Sequence, residues 1–239
     1  MALEIKEYIE FGAFNSKGWG MYLVDRDAPT PDEKEIIEDI PFLQGVLDFS
    51  FLTGERIFQN REVTYKFKLP NTHYDSRKTV ERFIKKEVMP NFEEKLYDSA
   101  IPNHFFVGKC SSVKVVHDPG KRNFIVTLVF NCYPFAYTLK RYYDDVWDTF
   151  SFDDDVSSYT KWNIARKREV IIFNHGSAFI APEIVANGNF KITDANGDSW
   201  NFRGETRLDN SFQLVPGVNK LTIEGNGHIS FHFRGEEMV

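Results

Sequence analysis

Arg61-Glu62-Val63-Thr64-Tyr65-Lys66-Phe67-Lys68-Leu69 is the stretch on which the reading of the fold turns. Val63, Tyr65, Phe67 and Leu69 fall on one side of an extended chain, while Thr64, Lys66 and Lys68 fall on the other. A period of two is the mark of a half-buried antiparallel strand. Pro70-Asn71 ends it, and a contrasting period follows. Val80, Phe83, Ile84 and Val88 recur at helical spacing, with Arg77, Lys78, Glu81, Lys85 and Lys86 opposite. The spacing predicts one helix over 76–89, with Asp75 or Ser76 available as its cap and Pro90 as its stop. An amphipathic helix must bury its apolar face, and the neighbouring strands offer one.

Outward from this strand and helix, the rest of the chain also reads as β. Aromatic residues make up 15% of the 239, with Phe 23 and Tyr 10, which favours pleated surfaces. Residues 1–24 read as one or two short strands with a turn at Asn15-Ser16-Lys17-Gly18. Residues 25–38, with Pro29, Pro31 and dense charge, read as an exposed, mobile loop. Residues 104–116 and 123–133 read as a hairpin around Asp118-Pro119-Gly120-Lys121. A two- or four-residue turn there pairs Cys110 with Val129 and Cys132 with Val107. That register puts the thiols on opposite sheet faces, as free structural cysteines.

Clustered acid at Asp144-Asp145 and Asp153-Asp154-Asp155 changes the character of 138–168, and a domain boundary is placed near its start. Short apolar runs follow at 170–173, 179–185, 190–193, 199–202, 212–214, 220–223 and 229–233. Turn signals at Asn187-Gly188, Asn196-Gly197, Pro216-Gly217 and Asn226-Gly227 separate them. This pattern predicts an antiparallel β-sandwich. The fold expected is mainly β, with an N-terminal β domain over 1–137 carrying helix 76–89, and a linker and sandwich over 138–239.

The chemistry legible in the chain is sparse. A net charge of −6 argues against a duplex-DNA binder. No apolar run approaches the roughly 20 residues that cross a bilayer, and the charged start lacks the apolar core of a signal peptide, so synthesis and folding in a cytoplasm are expected. Asp194-Ala-Asn196-Gly197-Asp198, with Glu205 beyond, imitates a calcium loop, but Ser199 stands where the bend needs glycine. A hairpin turn at Asn196-Gly197 is the stronger reading. The run Asp153–Asp155 reads as solvated acid. His228 and His232 lack an acidic or thiolate partner in the pattern. His175-Gly176-Ser177 reads as a turn rather than a catalytic pair. No phosphate loop, nucleophile elbow or dinucleotide fingerprint occurs. Neither catalysis, a cofactor nor a metal is expected.

An ordered set of motifs carries a resemblance. Ile40-Pro41-Phe42, Gly45, Asp48-Phe49-Ser50, Gly54-Glu55-Arg56 and Arg61-Glu62-Val63 resemble the N-terminal signature of distal tail proteins of long-tailed siphophages. Phe130-Asn131-Cys132-Tyr133-Pro134-Phe135-Ala136-Tyr137 fits the end of that family's first domain. Phe173-Asn174-His175-Gly176, Ala181-Pro182-Glu183-Ile184 and Leu214-Val215-Pro216-Gly217-Val218-Asn219 are similar to its C-terminal part. The resemblance implies an N-terminal domain that closes into a hexameric ring and a peripheral, galectin-like sandwich. It implies a place in the virion at the tail tip, assembled in the host bacterial cytoplasm. The partners implied are the tail tube protein, the tail-tip hub or tail-associated protein, and receptor-binding proteins. The stretch 169–239 leaves no room for the long insertion with which some members hold a receptor-binding protein.

Physical reading and resemblance agree on what a ring subunit needs, which is exposed edges and loops that order on assembly. The loop 25–38 and the strand 61–69 supply candidates: Pro29, Pro31, Tyr65, Phe67 and Leu69 as ring contacts. A negative lumen would let DNA pass without sticking. The alternative is a carbohydrate-binding module on the sandwich, with Trp200 as platform and Glu205 and Arg207 beside it. Against it, Trp200 also fits as core or rim packing, and no galectin-type His/Asn/Arg set is identifiable.

Overall fold

The computed structural model describes residues 4–52, 54–118, 122–141, 159–204 and 206–239, with backbone alone at 206 and 207. The chain divides into a first unit, Met1–Ala136 with Val239, and a second unit, Tyr137–Met238. Both are built from antiparallel β structure, and the chain is mainly β with one α-helix among the described residues.

The first unit contains β1 (Ile9–Phe11), β2 (Phe14–Asn15), β3 (Tyr22–Asp27), β4 (Ile37–Glu38), β5 (Leu47–Asp48) and β6 (Arg61–Pro70). Helix α1 (Arg77–Val88), β7 (Glu94–Asp98), β8 (His104–His117) and β9 (Asn123–Cys132) follow. The sheet order is β2-β1-β7-β8-β9-β6-β3. The alternating strand at 61–70 lies beside β9, and the register explains the core. Val63 faces Phe130, Tyr65 faces Leu128, Phe67 faces Val126 and Leu69 faces Phe124. All eight are buried on one side. Phe130 also meets the Phe11 ring at 4.9 Å and the Tyr65 ring at 6.1 Å.

Strands that are not neighbours in the sheet are tied directly. Arg26 of β3 donates through Nε and Nη2 to the Asp98 carboxylate of β7, at 2.6 and 2.8 Å. The Asp98 side chain is only 2% exposed. The sheet therefore curls until its β3 edge reaches β7.

Helix α1 covers the apolar side with Ile84 and Val88, and half-buried Val80 helps. Phe83, expected on that face, is exposed instead. It stands about 100° from Ile84 around the axis, at the flank of the stripe. No side chain caps the helix. A 3₁₀ turn at Tyr74–Ser76 leads in, and Ser76 Oγ donates to the His73 carbonyl at 2.7 Å. Asn15 does make the expected turn, its Oδ1 accepting from the Lys17 and Gly18 amides.

The cysteine register differs from expectation. The hairpin closes with His117 opposite Phe124, two places off the expected count, and a bulge between Cys110 and Ser112 moves it one place back, so Cys110 stands opposite Phe130 and Cys132 opposite Gly108. Both thiols are free and lie on the same, core-facing side. They are diagonal neighbours, a relation that places Cα atoms about 7–8 Å apart and leaves a disulfide out of reach. Burial pushes the thiols up to about 11 for Cys110 and about 12 for Cys132. The Pro119-Gly120 turn lies outside the described residues.

The chain passes between units through β10 (Ala136–Thr138). The second unit holds β11 (Lys161–Asn174), β12 (Glu183–Asn187), β13 (Asn189–Thr193), β14 (Ser199–Arg203), β15 (Thr206–Leu208), β16 (Gly217–His232) and β17 (Glu236–Glu237). The row of short, turn-separated strands is corrected here. β16 runs unbroken through Asn226-Gly227, and β11 begins within the stretch read as linker. Glu183 faces His232, Asn187 faces His228, and Phe190 faces Gly225, so β12 and β13 keep one register against β16 across Gly188.

Asn187-Gly188 and Asn226-Gly227 are thus a corner in paired strands rather than hairpin turns. At Gly188, Gly225 and Gly227, φ is 135°, 151° and 131°. A Cβ added there would lie 2.0–2.4 Å from a carbonyl oxygen across the strand pair. Only glycine allows this approach. The same sheet face is buried on both sides of the corner, with Trp162, Ile164, Val170 and Ile172 on β11 and Leu221, Ile223, Ile229 and Phe231 on β16. The sheet bends over its own apolar side. Phe212 is lodged within, its ring 6.1 Å from Phe231, 6.0 Å from Phe202 and 5.1 Å from Trp200.

Candidate functional site

The surface that asks for a partner is an arm between β3 and β6. Its base is held by Gln59 N–H donating to the Asp32 carbonyl at 2.8 Å and Lys34 N–H donating to Ile57 at 2.7 Å. Arg56 pairs with Glu33 there. Farther out, β4 and β5 pair, Ile37 facing Asp48 and Glu38 facing Leu47. Ser50 holds the Asp48 carboxyl below the usual range, first through its hydroxyl and then through its amide, which donates to Asp48 at 2.8 Å, and Ser50 Oγ accepts from the Ile36 amide.

A two-stranded ribbon of this size has no core of its own. Yet Ile40, Phe42, Leu43, Val46, Phe51 and Leu52 are all exposed, Phe42 completely. Apolar side chains gathered on one exposed element mark an interaction surface. A second such surface lies along α1 and just beyond it, where Phe83, Met89 and Phe92 are exposed beside Arg82 and Lys86.

The ring-contact residues expected from sequence are placed elsewhere. Tyr65, Phe67 and Leu69 are core side chains, and Pro31 is buried too. A partner cannot reach them, because the period-two face that made them conspicuous is the face the sheet packs. Pro29 is exposed, at the foot of the arm. The stretch 25–38 is no simple loop, since Asp25–Asp27 belong to β3 and Ile37–Glu38 form β4. The arm's apolar residues were legible as letters, and Ile40-Pro41-Phe42 and Asp48-Phe49-Ser50 lie within it. A dense apolar run interrupted by Pro41 and Gly45, with neither strand nor helix period, is the signal for such an element.

In the second unit, Trp200 is half-buried packing. Its indole Nε1 donates to the Ser211 carbonyl at 3.1 Å and its ring meets Phe212 edge-on. Glu205 lies outside the described residues. Arg207, described by backbone alone, is on β15 at the sheet edge opposite Trp200's β14. The structure therefore does not bring Trp200 and Arg207 together as neighbours on paired strands.

Asp194 makes the turn expected at Asn196-Gly197. Its Oδ1 accepts from the Asn196 and Asp198 amides at 3.0 and 2.8 Å. With this carboxylate oxygen engaged by its own turn, calcium should not stabilise the fold. Unfolding curves with excess calcium and with chelator are expected to superimpose, since a ligand of the native state alone would raise stability. A calcium-dependent shift abolished by Asp194→Ala would overturn this. Among the described residues, no three His, Cys, Asp or Glu side chains gather as a metal would need. His232 Nε2 lies 3.0 Å from Ser230 Oγ. The Asp153–Asp155 run lies outside the described residues.

His175-Gly176-Ser177 is a turn fixed by Asn174. The Asn174 Oδ1 accepts from the Gly176 amide at 2.9 Å, while its Nδ2 donates to the Ala178 and Leu214 carbonyls. No helix among the described residues is long and apolar enough to cross a membrane.

No family model matches the chain. No curated protein matches it either. Among solved structures, it is similar to the SPP1 Dit (gp 19.1) protein, at 12% identity and a TM-score of 0.65, over 95% of this chain and 98% of that one. Two chains of the phage p2 baseplate in its activated conformation, with Sr and with Ca, align at TM-scores of 0.39 and 0.42, too low to support a comparison. Their identities are 10% and 8%, over 96% and 98% of this chain and 97% and 99% of theirs. The agreement with the SPP1 protein runs through both units and nearly end to end, and the chain has the fold of the SPP1 Dit protein.

Proposed function

We propose that this chain is a structural subunit of a phage tail tip, which assembles through its first unit into a hexameric ring joining the tail tube to the tail-tip hub. The observation that carries the reading is the backbone agreement, over nearly all of both chains, with a protein described as a paradigm of the hub adsorption apparatus in phages infecting Gram-positive bacteria. The exposed apolar arm supports it, because an isolated subunit leaves that surface in water. A ring subunit works by shape and contact and requires no catalytic group. The net charge of −6 suits a conduit past which DNA slides without binding.

The reading is tested by native mass. Light scattering of the full chain is expected to give a hexamer, and a monomer would reject the reading. A piece covering 1–137 is expected to oligomerise, because it holds the arm. A piece starting at Arg141 is expected to be a folded monomer. Should the second piece form the ring while the first stays single, the division of labour is wrong.

A further inference from the structure

The arm and the outer side of α1 are unlike surfaces with complementary chemistry. The arm is apolar and acidic: Glu35, Glu38 and Asp39 are exposed around its apolar residues and form no ion pair among the described residues. The exposed side of the helix itself is apolar and basic, and exposed Glu93 and Glu94 follow Phe92 beyond its end. Arg82, Phe83, Lys86 and Met89 stand on its exposed surface, with Phe92 just past its end. Lys78 and Lys85 share Glu81 as their partner, at 2.9 and 2.7 Å. Arg82 and Lys86 have no acidic partner among the described residues, and Arg82 lies 5.7 Å from the Phe83 ring centre.

We propose that the arm of one copy of this chain seats on the α1 surface of the next. This rests on the ring reading above and names its contact. The apolar side chains of the arm cover Phe83, Met89 and Phe92, while Glu35, Glu38 and Asp39 meet Arg82 and Lys86 at the rim. Apolar centre and charged rim is the usual anatomy of a specific interface. The rim charges set register and partner more than they set affinity. Because arm and helix are different surfaces, the contact is head-to-tail. Such contacts close into a ring when the rotation per subunit allows it.

The test is a charge exchange in the full chain. One variant carries Arg82→Glu and Lys86→Glu, and the other carries Glu35→Lys, Glu38→Lys and Asp39→Lys. All five positions are exposed, so both should keep the wild-type circular dichroism and thermal midpoint. Each variant alone sets like charges against each other. The concentration for half-assembly, read by sedimentation, is expected to rise at least about tenfold. Mixed in equal amounts, the variants can alternate around a ring in which every arm meets a helix of opposite charge. Assembly should then return to the wild-type level.

Failure has distinguishable forms. A monomeric wild type overturns both the ring reading and this contact. A wild-type ring whose variants assemble unchanged leaves the ring standing, overturns this contact and assigns the arm to a different partner. Variants that fail singly and are not rescued by mixing show that arm and helix do not meet each other, which also overturns it.

Discussion

Gly225→Val is expected to unfold the second unit under conditions where the wild type is folded, at a cost of about 3 kcal/mol or more. The side chain would start from a Cβ placed 2.3 Å from the Asn189 carbonyl oxygen and 2.6 Å from the Phe190 ring, at a φ of 151° that β-branched residues do not adopt. Relief would require β13 and β16 to separate at the corner, opening the core at Phe190. Gly227→Ala should act similarly, since its Cβ would meet the Asn187 oxygen at 2.0 Å. The control is Gly197→Val in the hairpin turn. There φ is 94° but nothing lies within 4 Å, so the cost is backbone strain alone, roughly 1–3 kcal/mol. Urea unfolding of the 141–239 piece gives the comparison. Equal losses at Gly225 and Gly197 would show that crowding at the corner is not what demands glycine.

The second large effect is expected from Arg26→Ala, which strands the Asp98 carboxylate in a nearly water-free site. Removing one member of a buried pair costs about 3–5 kcal/mol, because the remaining charge has lost its partner and cannot regain water. Asp98 keeps the Ala100 amide, at 2.9 Å, as a second donor, which places the expectation toward the lower end. Replacing both residues together by Leu should recover much of the loss. Lys66→Ala offers the contrast. Its 2.9 Å pair with Asp25 joins side chains about half exposed, and such pairs contribute about 0–1 kcal/mol. Chemical denaturation of the full chain, with fluorescence and circular dichroism as probes, separates the cases. A loss at Arg26 no larger than at Lys66 would mean that this tie does not hold the curled sheet.

How far the sequence reached is best seen at particular residues. Strand 61–70 and helix 77–88 were legible because each keeps one period for its whole length and ends at proline or just before it. Phe83 misled because periodicity gives a stripe's centre better than its edge. The dipeptide Asn-Gly appears three times with two outcomes. It makes a hairpin at 196–197 and a corner in continuous strands at 187–188 and 226–227. Asn-Gly reports that the backbone can take positive φ. What the chain does next depends on a strand far away in sequence. The cysteine register failed for a related reason, since one bulged residue reverses every face beyond it.

For the candidate site the lesson runs the other way. Tyr65, Phe67 and Leu69 drew attention through their regularity, and regularity is the property of side chains already satisfied within the subunit. The arm is irregular in sequence, and its hydrophobic residues look like any others until the fold is seen to leave them exposed among the described residues.

The pairing of β1 with β7 has a consequence during synthesis. Tyr8 is joined to Ser99 across a separation of 91 residues, its amide donating to Ser99 Oγ at 2.9 Å. At a ribosomal rate of about 5–20 residues per second, the first strand leaves the tunnel several seconds before its mate exists. Through that interval Ile9, Phe11 and the whole arm are in water together, on a chain that cannot yet complete its sheet. Contacts this distant in sequence also place the first unit among slow folders, on a scale of milliseconds to seconds. The nascent chain thus passes through a window of stickiness set by topology, and crowding of ribosomes on one message would bring several such chains within reach of each other.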